Sequence, residues 1–166
     1  MPISPYHIRQ ATNLDLPEIA YLETEAFAPY GTAECPDTLR ARLAVFPEGF
    51  AVLEIDDLIV GYGTSEKWTE PREPELDEDP NKTHDPNGQI FSITGLAVRL
   101  HYRGRGFGLA ILDHLIALAR RHDCTQIILQ TTHAQGLYLK RGFNVVGNRL
   151  QFGVTLSIMK LDLPSA

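Results

Sequence analysis

The chain has 166 residues, a length that suits one domain, taken here as residues 1–166, with a sizeable core. Its formal net charge of −6 argues against a nucleic-acid partner or a membrane surface and leaves room for a cationic small molecule drawn in by the overall field. Cys35 and Cys124 are the only cysteines and lack CxxC spacing, so both read as free thiols and neither a disulfide framework nor a cysteine metal site is expected.

Met1-Pro2-Ile3-Ser4-Pro5 has no charged lead or apolar core, and no run approaches the ~18 apolar residues of a membrane span, so a soluble, cytoplasmic protein is expected. His7 to Thr12 reads as a short strand. Leu16-Pro17-Glu18 opens a helix with Asp15 as N-cap, and Ile19, Leu22, Ala26 and Phe27 line its apolar face. A second helix runs from Asp37 to Phe46, with Leu39, Leu43 and Phe46 at helical spacing, and Pro47-Glu48-Gly49 ends it. Phe50 to Ile55 and Leu58 to Thr64 are β-rich and joined by Asp56-Asp57, which predicts a hairpin.

From about residue 69 to 88 the composition changes. Four prolines stand among Glu70, Glu73, Glu75, Asp77, Glu78, Asp79 and Asp85, and the segment reads as a long loop that is ordered only if something docks on it. Gln89 to Val98 is the next strand. Phe107 to Asp123 is the strongest helix, with Phe107, Ile111, Leu115 and Leu118 on one stripe and Arg120-Arg121 in its last turn. Thr125 to Thr131 is an almost continuous apolar strand, a short helix covers about Ala134 to Arg141, and Phe143 to Gly147 with Val154 to Leu161 close as a strand pair. The expected class is α/β (α+β): a mixed, mostly antiparallel central sheet flanked by helices.

The apolar strand ending Leu96-Ala97-Val98 passes through Arg103-Gly104-Arg105-Gly106-Phe107-Gly108 straight into that strongest helix. Glycines let backbone N–H groups approach an anion, and the helix start adds the positive end of its dipole. A P-loop needs Gly-Lys-Ser/Thr, but Leu109-Ala110 follows Gly108; the Rossmann fingerprint needs a third small residue where Leu109 or Ile111 stands. Arg103, Gly106 and Gly108 instead match the Arg/Gln-x-x-Gly-x-Gly signature, and the chain resembles the GNAT N-acetyltransferases in element order as well. The resemblance implies acetyl-CoA as cofactor, with Gly104 through Leu109 and Arg103 at the pyrophosphate. It also implies the backbone of Leu96, Ala97 and Val98 along the pantetheine arm, one N–H meeting the thioester oxygen.

Tyr138, in Ala134-Gln135-Gly136-Leu137-Tyr138-Leu139-Lys140-Arg141-Gly142-Phe143, resembles the tyrosine that in many members lies by the CoA sulfur. A phenol with pKa near ~10 stays protonated at neutral pH and can serve as acid to a departing thiolate. The inward positions of the strand before Leu96 are Ser92 and Thr94, which are not bases; they could hold a water chain leading to Glu66, His84 or solvent. His133 is a candidate proton acceptor at the end of the apolar strand. His114 and His122 are eight positions apart, no carboxylates complete a set with them, and no metal site is expected.

Glu25-Ala26-Phe27, Cys35-Pro36, Leu96-Ala97-Val98, Tyr138 to Phe143 and Gly153 to Ser157 are similar to the arylalkylamine N-acetyltransferase branch. That similarity implies Phe27, Tyr30, Cys35 and Pro36 as walls for the amine. The branch usually carries two histidines where Ser92 and Thr94 stand, a departure that bears on an aromatic preference. The expected activity is acetyl transfer to the primary amine of a small molecule, an arylalkylamine or polyamine, by direct attack in a ternary complex. The alternatives are a protein or peptide amine acceptor and a non-catalytic acyl-CoA-binding module. A monomer or homodimer fits the sequence equally.

Overall fold

In the computed structural model, which describes residues 5–164, the chain runs β1 (His7–Gln10), α1 (Leu16–Phe27), α2 (Pro36–Val45), β2 (Ala51–Ile55), β3 (Leu58–Trp68), the single helical turn α3 (Pro80–Thr83), β4 (Ile90–Val98), α4 (Phe107–Arg121), β5 (Gln126–Thr131), α5 (Gln135–Leu139), β6 (Asn144–Gln151) and β7 (Val154–Asp162). Residues 1–4, which held most of the stretch weighed as a leader, lie outside the described residues. No helix among the described residues is long and apolar enough to cross a membrane.

The strands form one sheet in the order β1-β2-β3-β4-β5-β7-β6, antiparallel throughout except for the β4–β5 pair. Asp56 and Asp57 both take positive φ, the twist a two-residue hairpin turn requires, and join β2 to β3 as expected. β3 extends four residues beyond the expected Thr64, because Ser65 to Trp68 continue the ladder with Ile90 to Ile93. β6 likewise runs to Gln151, turning at Phe152-Gly153. Asp15 stands at the N-cap position of α1 as expected, but its carboxylate makes no cap bond to the helix: it accepts from the Thr12 N–H (2.8 Å) and pairs with Arg9 (2.8 and 2.9 Å), tying β1 to the helix start.

Helices cover both faces. On one, Ile19 and Leu22 of α1 and Leu39 and Leu43 of α2 pack on Phe50, Val52, Ile59 and Tyr62. On the other, Phe107, Ile111, Leu112, Leu115 and Leu118 of α4 pack on Leu53, Val60, Phe91, Ile127 and Met159. Each fully buried aliphatic side chain contributes about 1.5–3 kcal/mol, so this stripe is what fixes the start of α4 against the end of β4.

The acidic segment after β3 is ordered by its own contacts, which corrects the expectation of a loop waiting for a partner. Glu66, 2% exposed, accepts from Arg42 (3.2 Å), Trp68 Nε1 (2.5 Å) and the Thr83 hydroxyl (3.0 Å). Arg42 also forks onto Glu34 (2.9 and 2.8 Å), and Arg72 lies over the Trp68 ring (4.1 Å) while forking onto Glu78 (2.7 and 2.8 Å). Arginines, not apolar side chains, hold this segment down. Arg42→Ala should therefore strand Glu34 and Glu66 without their counter-charge and cost about 3–5 kcal/mol in urea unfolding at neutral pH; a loss under ~1 kcal/mol would show that the network is dispensable.

Candidate active site

β4 and β5 share a ladder at only three pairs, Ile90–Gln126, Phe91–Ile127 and Ser92–Ile128. The cause lies across the sheet: Thr64 pairs with Gly95 and Ser65 with Ile93, so Thr94 is an extra, bulged residue that bends β4 away from β5. A cavity of about 530 Å³ fills the gap, reaching from the start of α4 to the α1–α2 connection.

One end is built of backbone donors. Gly104 and Gly106 take positive φ (76° and 88°), and a Cβ built on either would meet no other atom within 4 Å, so the turn is open on its outer side. The first α4 hydrogen bond from this region is Ala110 N–H to Gly106 C=O, and the N–H groups of Gly104 through Leu109 find no acceptor among the described residues. Converging unpaired N–H groups at the start of a 15-residue helix suit a diphosphate, so the chain's own groups fit the CoA moiety. Arg103 lines this end with its Nε on the Val98 carbonyl (2.8 Å). Arg105 turns away, onto the His101 carbonyl (3.0 Å) and the Tyr102 ring, and does not line the cavity.

Along the middle, Arg99 N–H bonds to the Val60 carbonyl across the ladder. Alternation then turns the N–H and C=O of Ala97 towards β3 and those of Leu96 and Val98 towards the gap. Tyr138 faces them from α5, whose start is held by Ala134 N–H on the Thr131 hydroxyl (3.0 Å). Its ring packs edge-on to Phe143, and burial pushes its phenol above the ordinary value with no neighbouring charge or hydrogen bond acting on it.

The other end holds a carboxyl that the sequence reading passed over. Glu23 of α1 is 3% exposed, accepts from the Tyr62 hydroxyl and the Glu34 N–H (3.0 Å), and lines the cavity. Burial pushes its pKa up to about 7 against the pull of those two donors. Gly95 keeps the way to it open: a Cβ there would sit 2.9 Å from Thr64 Oγ1 and 3.8 Å from Glu23 Oε1. The signal was in the sequence, since Glu23 stands four residues after Ile19 on the apolar face of its helix.

Of the residues expected at this end, Phe27 and His133 line the cavity, and Tyr30 stacks on His133 (centroids 5.0 Å apart) from outside the lining. Cys35 and Pro36 do not reach it: they begin α2, and the Cys35 N–H is taken by Asp77 (2.8 Å). Thr32 and Glu34 of the same connection stand there instead. Thr94 lines the cavity with its hydroxyl on Thr64 (2.8 Å), whereas Ser92 is buried below the point where the strands part, opposite Glu66, and does not line it. Nor does the proposed water route end in a free base: Glu66 is occupied by Arg42, Trp68 and Thr83, and His84 accepts the Lys67 N–H (3.0 Å).

A cavity with an anion cradle at one end and a carboxyl of near-neutral pKa at the other is suited to moving an acyl group from a phosphate-bearing carrier to a protonatable acceptor. Comparison with known proteins agrees. Residues 16–143 match the family described as Acetyltransferase (GNAT) family. No curated protein matches the chain in sequence. Among solved structures, Ard1 from Thermoplasma volcanium superposes with a TM-score of 0.79 at 16% identity, over 96% of this chain and 99% of that one. The loading GNATL domain of CurA from Lyngbya majuscula gives 0.84 at 14%, over 96% and 98%. The putative acetyltransferase yncA from Salmonella typhimurium, solved with acetyl-CoA, gives 0.73 at 20%, over 96% and 94%. At these identities the likeness is one of fold. The family match over most of the chain goes further: this protein belongs to the GNAT acetyltransferase family, enzymes that use acetyl-CoA.

Proposed function

We propose that the protein acetylates the primary amine of a small, cationic molecule by direct attack in a ternary complex. Acetyl-CoA supplies an activated acyl group and a good thiolate leaving group. The chain's part is to position the reactants and handle protons. The N–H groups of Gly104 through Leu109, with Arg103, hold the diphosphate, and Leu96 and Val98 pair with the pantetheine amides as an added strand would. The Leu96 N–H donates to the thioester oxygen as negative charge develops there.

Glu23 takes the proton from the incoming ammonium, so that its nitrogen carries a free lone pair into attack. The single observation that carries this reading is that carboxyl: buried, facing the cavity, with its pKa raised to about 7. Tyr138 stays protonated over the working range and gives its proton to the departing sulfur; the nitrogen sheds its second proton to solvent, which reprotonates Tyr138, and Glu23 releases the first proton to solvent to regain its charged form. Thr94 and Thr64 position groups beside Gly95, and Ser92 takes no part in this reading. At the acceptor end Arg42 is matched by Glu34 and Glu66 and Arg149 by Glu73 and Glu75, which leaves Glu23 as the cavity carboxyl with no ion-pair partner among the described residues and favours a cation there. Phe27, Ala26, Leu76 and Leu156 give it apolar walls, which accommodate the carbon skeleton of an arylalkylamine or a polyamine.

Thiol release from acetyl-CoA, measured against arylalkylamines, polyamines, aminoglycosides and peptide N-termini, tests the activity. Turnover should concentrate in small amines, and acetyl-CoA binding without turnover on any amine would replace the enzyme with a binding module. Glu23 acts in its charged form, so kcat/KM should be held above pH 7 and fall as pH drops through about 7. Glu23→Gln should remove that limb and lower the rate about 10²–10⁴-fold; an unchanged acid limb would dismiss Glu23 as the base. Tyr62→Phe removes a donor that favours the charged carboxylate and should move the limb to higher pH. Tyr138→Phe should cut kcat with CoA affinity nearly unchanged, and an unaltered rate would sink the acid assignment.

A further inference from the structure

The segment between β3 and α3 crosses the acceptor end of the cavity as a strap. At its base Arg72 and Glu78 lock together over Trp68, and Glu78 also accepts the Glu75 N–H (2.7 Å). On the α2 side Asp77 accepts from the Cys35 N–H and the Thr38 hydroxyl (both 2.8 Å). On the opposite side Arg149 of β6 holds the tip: it donates to the Pro74 carbonyl and pairs with Glu73 and Glu75 (both 3.4 Å). Between these two anchors Pro74, Glu75 and Leu76 line the cavity, as do Glu23 and, from the β6–β7 hairpin, Gln151 and Leu156.

We infer that this strap selects the acceptor by size: it admits small amines and excludes the N-terminus of a polypeptide, with Arg149 as the positioning residue that keeps it shut. The inference rests on the transferase reading above and deepens it. The acceptor end is lined by Thr32 and Glu34 of the α1–α2 connection and by Gln151 and Leu156 of the β6–β7 hairpin, and in this inference a peptide whose amine reached Glu23 leaves between them. That path is bridged by the strap, which is tied to α2 by Asp77 and to β6 by Arg149. The two anchors are unequal. Asp77 takes two hydrogen bonds at the start of α2, where the helix dipole favours its charge. The carboxylates facing Arg149 are more than half exposed (55% and 76%), so those ion pairs are weakened by solvent and the tip's main fastening is the charge-assisted bond to one carbonyl.

Two conjugates in which CoA is joined through its acetyl group to an amine separate this claim from catalysis, since each reads both halves of the site by binding alone. One carries phenethylamine and the other the N-terminus of a neutral pentapeptide, with affinities measured by calorimetry. Wild-type protein should prefer the small-amine conjugate by about tenfold or more, and Arg149→Ala should bring the two within about threefold, through tighter peptide binding and with CoA affinity itself unchanged. Arg149→Lys, which keeps the charge and one donor, should fall between. Equal binding of both conjugates by wild-type protein, or a ratio that Arg149→Ala leaves in place, would overturn the inference. Failure to turn over any amine would remove the transferase reading, while the ratio of conjugate affinities would still decide the strap.

Discussion

β4 and β5 separate after three residue pairs, and the rest of the architecture is arranged around that parting. Main-chain polar groups inside a protein are normally paired, and a sheet that opens in its middle exposes two lengths of strand edge and a helix start at once. The bulge at Thr94 sets the direction of the bend, α4 places its first turn at one end of the opening, and α1 brings a carboxyl to the other. The N–H groups of Gly104 and of Gly106 to Leu109, unpaired among the described residues, and the gap-facing N–H groups of Leu96 and Val98 are tolerable because they face a cavity, where a ligand rich in acceptors can satisfy them. In the proposed reading the donor substrate completes the sheet's hydrogen bonding, which is why the chemistry sits at the strands' point of divergence.

The electrostatics divide along the same axis. Backbone dipoles and Arg103 make the α4 end attractive to anions, and Glu23, which has no ion-pair partner among the described residues, makes the far end attractive to a cation. Glu23 stands apart from the other carboxylates because no arginine is hydrogen-bonded to it; its partners are a phenol and an amide, and burial outweighs both. Glu34 and Glu66, by contrast, are fixed by Arg42, which lets them serve as structure. The three carboxyl groups thus differ in whether a guanidinium is hydrogen-bonded to them.

Local rules made the donor end legible in the sequence. A turn that needs glycine at positive φ, an apolar strand before it and a patterned helix after it are properties of neighbouring residues, and the elements from Gln89 to Thr131 appear within one or two residues of expectation. The acceptor end depends on pairings far apart in the chain and was read poorly. Glu23 becomes a candidate base only once Tyr62, Gly95 and the Glu34 amide surround it, from positions up to 72 residues away. By composition the acidic segment reads as a loop ordered only by a docked partner, because its order comes from Arg42, Arg72 and Arg149 instead of apolar burial. Cys35 and Pro36 belong to the expected connection but do not line the cavity, since α2 begins at Pro36 and Asp77 takes the Cys35 N–H.

A structure of the protein with acetyl-CoA bound would test this account most directly. The account predicts the diphosphate on the N–H groups of Gly104 through Leu109, the pantetheine arm along Leu96 and Val98, and the acetyl carbonyl on the Leu96 N–H with its open face toward Glu23. A donor whose acetyl group lay away from the parting of β4 and β5, or was separated from Glu23 by intact protein, would contradict it.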